Sequence, residues 1–259
     1  MDKKEACSEI TLTAIQNIPE INPGDDVSSI ISQCLSEQGC RLRNNDVIVV
    51  AQKIISKSEN RFIDLKTIEP SEEAIKLAKQ TDKDPRLAEL ILRESNRIIR
   101  AEKGTIIVEH KLGHILANAG IDQSNIGKRY DHVLLLPKDP SDSAKKIKKS
   151  FEDRYQIKLG VLVTDSIGRA WRLGTTGHAL GSSGIKTLID MRGEKFDRDG
   201  RLLQTTVIGV ADQIASAATL LMGESSEGMP VVIIRGLDLL DESDTVNDLI
   251  RPAEEDLFR

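Results

Sequence analysis

Four oxygen-bearing side chains in this sequence stand where apolar or periodic runs give way to turns. Asp122 lies in NAGIDQSN after a β-rich run, Asp165 and Ser166 close the apolar run KLGVLVTDS, and Glu224 sits in the glycine-flanked MGESSEG. Hard cations such as Mg2+ and Mn2+ take a few carboxylate or hydroxyl oxygens and complete their shells with water and substrate phosphates. A buried strand fixes the backbone at its end, so a carboxylate placed there can face a crevice. Each acid also has an ordinary reading, because Asp, Asn and Gly in turns commonly just shape the turn.

Cationic partners are present. Lys57 belongs to QKIISKSEN, directly after the apolar run DVIVVA, where a flexible ammonium can reach a phosphate near a strand terminus; Lys53 is a second candidate. Arg169 and Arg172 flank Trp171, and guanidinium forks grip phosphate or carboxylate while an indole can stack on a ring. The plain alternatives are surface lysines, surface arginine pairs and a tryptophan filling a core gap. His178 is either a base or ligand, or a structural histidine in a glycine-rich stretch. Gly177, Gly181 and Gly184, spaced by four and three, suit close backbone packing better than a phosphate cradle.

The elements that must position these groups follow from pattern. Ile10 to Ile18 reads as a strand, and Val27, Ile30, Ile31, Cys34 and Leu35 recur at helical spacing until Gly39. DVIVVAQ reads as a strand buried on both faces. Ser71 is an N-cap for EEAIKLAKQ, and Asp84 with Pro85 opens PRLAELILRES. RIIRAE, TIIVEH and HILANAG form an antiparallel meander, and DHVLLLP is another strand. PSDSAKKIKKSFEDRYQ is a helix whose KKIKK run faces water. KLGVLVTD is a buried strand ending at Asp165, ADQIASAATLLMGE a helix with Ile214, Ala215, Ala218 and Leu221 on one face, and GMPVVIIRG a strand. Meander mixed with strand–helix alternation predicts an α+β fold.

Composition excludes several classes. The chain has 259 residues and a formal net charge of −5, which argues against a general nucleic-acid binder. Its apolar runs are strand-sized and its N-terminus lacks the apolar core of a signal peptide, so no membrane role and a cytoplasmic location are expected. Three scattered cysteines without a CxxC pair disfavour a disulfide scaffold or a zinc site. Neither GxxxxGK[ST] nor a GxGxxG after a strand is present, and HExxH is absent. The residues alone point to a metal-dependent phosphate-handling site without a familiar phosphate loop.

At these same residues the chain resembles the coenzyme F420-0:L-glutamate ligases. The resemblance runs from about Leu12 to Arg259 and rests on the order and spacing of INPGDD, VIVVAQKIISKSE, ANAGIDQSN, VLVTDSIGRAWRLGTTGHALGSSG, DMRGE, VADQIASAATLLMGE and PVVIIRG. Each piece is weak alone, and their colinear set is specific. The resemblance implies a GTP-dependent ligase that phosphorylates the carboxylate of coenzyme F420-0 and couples it to L-glutamate, with a second, γ-linked glutamate possible. It further implies two divalent ions, Mg2+ or Mn2+, a potassium ion, and a homodimer of two-lobed α+β subunits, one ligase domain over residues 1–259 without a nitroreductase-like extension. Position by position, it assigns Asp122 and Asp165 to one metal and Ser166 and Glu224 to the second. It assigns the nucleotide to Asn17, Ile18, Pro19, Glu20, Gln52, Lys57, Asn125 and to Leu221, Met222, Gly223, Glu224, Ser225, Ser226 and Glu227. Asp165, Lys57 and Arg169 are its catalytic candidates, with Arg169 and Arg172 on a substrate phosphate or carboxylate. Competing readings are a related amino-acid ligase with another acceptor, and a noncatalytic nucleotide- or deazaflavin-binding homologue.

Overall fold

Sequence runs that are apolar at every position need cover on both faces of a sheet. The computed structural model, which describes residues 9–126, 131–243 and 245–257, supplies that cover. The chain begins with β1 (Thr11–Ala14), α1 (Val27–Glu37) and β2 (Val47–Ala51), and passes without a loop into α2 (Gln52–Ser58). It continues through β3 (Phe62–Asp64), α3 (Glu72–Thr81), α4 (Pro85–Arg93) and the strands β4 (Ser95–Glu102), β5 (Thr105–His110) and β6 (Ile115–Ala117). Then come β7 (His132–Leu134), α5 (Pro140–Tyr155), the hairpin β8 (Gly160–Arg169) and β9 (Arg172–Ser183), β10 (Leu188–Asp190), β11 (Val207–Gly209), α6 (Val210–Met222) and β12 (Val231–Arg235).

A five-stranded sheet ordered β1-β12-β2-β8-β9 forms the larger lobe. Only β2 and β8 run parallel; the other pairs are antiparallel. Alternation sends Ile48, Val50, Val161, Val163, Val231 and Ile233 toward α1, α2 and α5, where they pack with Ile31, Ile55, Ile147 and Phe151. Val47, Val49, Leu162, Val232 and Ile234 face the other way, onto Ile214, Ala215 and Ala218 of α6. The smaller lobe packs α3 and α4 on the β4-β5-β6 meander and on Val133. Leu116 of β6 and Leu136 meet Leu180 of β9, joining the two lobes.

Local signals act as expected where they are local. The Ser71 hydroxyl accepts from the Ala74 amide, and the Asp84 carboxylate accepts from the Arg86 amide ahead of Pro85 at the helix start. At Gly177 an added Cβ would lie 2.3 Å from backbone atoms of Ala215, and at Gly181 the same distance from the Pro140 backbone. Close packing of α6 and α5 on β9 is therefore the reason for both glycines.

Five readings are corrected. KLGVLVTD does not end at Asp165: β8 runs on to Arg169, because β9 pairs with it throughout and Ile167 packs on Leu116, Leu136 and Leu180. Within KKIKK, Lys148 is buried beside the Ala144, Ile147 and Phe151 stripe, its Nζ 2.7 Å from Glu242 and 3.3 Å from Glu152. Ile10–Ile18 and DHVLLLP contribute only the short strands β1, paired with β12 over Thr11–Ala14, and β7, paired with the three-residue β3. Trp171 fills no core gap; it is 85% exposed in the turn of the β8–β9 hairpin. Among the described residues, no helix is long and apolar enough to cross a membrane.

Candidate active site

The cleft forms where the ends of several elements meet. Residues 18–21 after β1, the β2–α2 junction, the 122–125 segment, Thr164–Ser166 of β8 and the loop from Met222 to Pro230 enclose about 710 Å3. Its walls carry five carboxylates (Glu20, Asp122, Asp165, Glu224 and Glu227) and two lysines (Lys53 and Lys57). A polyphosphate cannot settle against such an excess of negative charge without additional cations.

Asp122 is held by its backbone, which exchanges both hydrogen bonds with Leu134 at 2.9 Å. Gln52 Nε2 donates to its Oδ2 at 2.7 Å, and Ser56 Oγ donates to Gln52 Oε1 at 2.8 Å, which orients the amide. Burial raises the Asp122 carboxyl above the usual range, against the charge of Lys53 and the Gln52 bond. Asp165 is raised further, to about 7, by burial first and by the charge of Asp122 second, while the Ser166 amide and Lys53 pull it down. The β8–β9 ladder shifts between Val163 and Thr164, leaving Leu180 as an extra residue on β9 one pair before Asp165–His178. A bulge of this kind re-aims the side chains beside it.

Ser166 Oγ donates to Glu224 Oε1 at 2.6 Å, and Thr175 Oγ1 lies 3.5 Å from the same oxygen. Lys57 is only 6% exposed and pairs with Glu20 at 2.5 Å, which removes the surface-lysine reading. Asn125 Nδ2 donates to the Ser225 carbonyl at 3.0 Å, and Glu227 Oε2 accepts from the Ser225 amide at 2.8 Å. Gly223 has φ of +71°, and a Cβ there would strike the Glu227 carboxyl, so this loop folds tightly on itself.

Of the residues singled out in the sequence, Ile18, Pro19, Glu20, Gln52, Lys57, Asp122, Asn125, Asp165, Ser166 and Met222 through Glu227 share this cleft. Asn17 does not line it; its carbonyl takes the Cys34 thiol at 3.6 Å. Leu221, in the last turn of α6, does not line it either; it is half-buried against the core on the α6 side of the sheet. Arg169 and Arg172 pair across the hairpin tip, outside the cleft wall. His178 lies over a smaller cavity with His114, Nε2 to Nδ1 3.2 Å, and its Nδ1 is 3.6 Å from Asp212. Sequence reasoning missed Ser124, Thr219, Met229 and Pro230 as cleft walls. For Pro230 a signal existed: it precedes β12, and its carbonyl accepts the Ala51 amide at 2.8 Å.

No group of three or more His, Cys, Asp or Glu side chains converges to hold a metal among the described residues. The oxygen-bearing groups stand instead in two pairs, Asp122 with Asp165 and Ser166 with Glu224. Such sparse oxygen sets fit Mg2+ or Mn2+, which keep waters and share phosphate oxygens. Two neighbouring carboxylates that hold protons more tightly than usual fit a site meant for a cation.

The sequence profile of the F420-0:gamma-glutamyl ligase family matches residues 16–236. A coenzyme F420:L-glutamate ligase of Methanocaldococcus jannaschii is 45% identical over 244 residues, covering 93% of this chain and 94% of the relative. One from Methanothermobacter thermautotrophicus is 42% identical, covering 96% and 99%. A third, from Methanococcus maripaludis, is 44% identical and covers 84% and 86%.

Proposed function

This chain belongs to the F420-0:gamma-glutamyl ligase family, and from that premise we propose that it joins L-glutamate to the carboxylate of coenzyme F420-0 at the expense of GTP. The γ-phosphoryl group of GTP passes to a carboxylate oxygen of the acceptor, giving an acyl phosphate and GDP. The amine of L-glutamate then attacks the acyl carbon, loses a proton and expels phosphate, and an amide remains. A free carboxylate is a poor electrophile; phosphorylation turns its oxygen into a leaving group. Phosphoryl transfer needs chiefly positioning and charge neutralisation.

The observation that carries this reading is the paired Asp122 and Asp165 in an acidic cleft that also holds the buried Lys57. Asp122 and Asp165 would hold one Mg2+ or Mn2+, and Ser166 with Glu224 a second. Bound there, the ions would neutralise phosphate charge and polarise the transferring group; potassium would assist. Lys57 exchanges Glu20 for a nucleotide phosphate. Ile18 to Glu20, Gln52, Asn125 and the Met222–Glu227 loop bind the nucleotide, whereas Arg169 and Arg172, at the hairpin tip outside the cleft wall, would meet only an anionic part of the acceptor that extends beyond the cleft. The same reading carries a homodimer, which the exposed Trp171 and Leu173 at 85% and 99% support.

The test is to incubate the protein with GTP, Mn2+ or Mg2+, L-glutamate and coenzyme F420-0 and to weigh the products. A mass gain of one or two glutamate residues with stoichiometric GDP is expected. Absence of both ends the proposal.

A further inference from the structure

Lys53 has no task in the reaction as written, yet it is the cation nearest the carboxylate pair. It follows Gln52 directly on α2, whose Ile54 and Ile55 are buried in the core, so its Cα is fixed while its four-carbon stem is free to swing. Its Nζ lies 3.4 Å from Asp122 Oδ1 and donates to the Ser124 carbonyl at 3.2 Å. Its charge also favours the ionised form of Asp165. Among the described residues, the one other lysine or arginine lining the cleft is Lys57, which is engaged with Glu20.

An ammonium group in that position opposes a divalent ion on the same two carboxylates, since like charges a few ångströms apart repel, the more so where the side chains are largely buried. Lys53 therefore has to yield when such an ion binds. Lys53 and Lys57 stand four residues apart on α2, so their stems share one face of the helix, and that face is where the nucleotide phosphates are proposed to lie.

We propose that Lys53 is a resident counter-ion, which neutralises the Asp122–Asp165 pair until a divalent ion binds and then transfers its charge to the phosphates of the nucleotide. This rests on the metal and nucleotide assignments above. It makes metal and nucleotide binding mutually supportive: phosphate draws Lys53 off the carboxylates, and the ion frees Lys53 for phosphate.

The test is Mn2+ affinity, read by calorimetry and by the electron paramagnetic resonance of free Mn2+, with wild type, K53M, K53Q and D165N. Without nucleotide, K53M and K53Q should bind Mn2+ about tenfold more tightly than wild type, because the competing ammonium is gone. A non-hydrolysable GTP analogue should raise Mn2+ affinity in wild type by a clearly larger factor than in K53M. Unchanged or weaker Mn2+ binding in both folded Lys53 variants, judged by circular dichroism, overturns the counter-ion role. D165N separates the two layers. If it loses Mn2+ while K53M binds as wild type, only the Lys53 proposal fails. If it binds Mn2+ as wild type does, the metal site itself is misplaced and both readings fall.

Discussion

Gln52 and Asp122, seventy residues apart, are joined by a single hydrogen bond of 2.7 Å from Nε2 to Oδ2. It ties the first residue of α2, on the larger lobe, to the segment that leaves the meander of the smaller one. Gln52 is 2% exposed, and Ser56 fixes its amide from behind. The carboxylate that faces the cleft is thus aimed by a helix it does not belong to.

Gln52→Ala should loosen that aim. It strips Asp122 of a donor and leaves the buried Ser56 hydroxyl without its acceptor, at a cost of about 1–3 kcal/mol. Urea denaturation should register the loss, and a Mn2+ titration should show weaker binding than wild type. Stability and Mn2+ affinity both at wild-type levels would remove Gln52 from the support of the site.

The raised Asp165 carboxyl gives a pH signature. Its folded value, about 7, lies above the ordinary 3.8, so its contribution to stability is fully present below pH 3.8 and is lost as pH rises through 7. Metal-free Asp165→Asn should therefore melt higher than metal-free wild type at pH 8, with the gap closing toward pH 4. Turnover should vanish in the same variant. A gap independent of pH would contradict the assignment.

His114 acts with the opposite sign. Burial first, and the neighbouring His178 second, lower it to about 4. Stability from keeping it neutral is present above pH 6.5 and lost as pH falls through 4. Imidazole resonances followed by NMR should show His114 neutral down to about pH 4; titration near 6.5 would show that its surroundings are wet.

Lys57→Met should weaken a GTP analogue by roughly 10–100-fold, the worth of a charge-assisted bond of about 1.5–3 kcal/mol. Lys57→Arg should recover only part of this, because the planar fork does not fit a pocket shaped for a point charge. Equal nucleotide affinity in wild type and Lys57→Met, by calorimetry, would take Lys57 out of the nucleotide site.

Gly177→Ala should destabilise without touching the cleft, since its Cβ meets the Ala215 backbone at 2.3 Å. Overpacking of this kind costs about 1–3 kcal/mol, which at ~2–4 °C per kcal/mol in a chain this long is readily seen by differential scanning calorimetry.

Much of this protein was legible in its sequence because the relevant physics is local. Caps such as Ser71 and Asp84, the buried strands β2 and β8, and the small residues needed where α5 and α6 press on β9 all follow from neighbours a few positions away. The types of residue in the site were legible too: carboxylates, a hydroxyl and lysines beside glycine-rich turns. Tertiary structure alone decided how they are used. Asp165 looked like the end of a strand because the apolar run stops there, but β9 and the Leu116–Leu136–Leu180 contact carry the strand onward. Lys148 looked solvated until Glu242, 94 residues away, paired with it. The meeting of Asp165 with Lys53 and Lys57 depends on the pairing of β2 with β8, and Asp122 reaches them because the smaller lobe docks through Leu116, Leu136 and Leu180. Local pattern fixes which face a side chain takes; only long-range pairing fixes what that face meets.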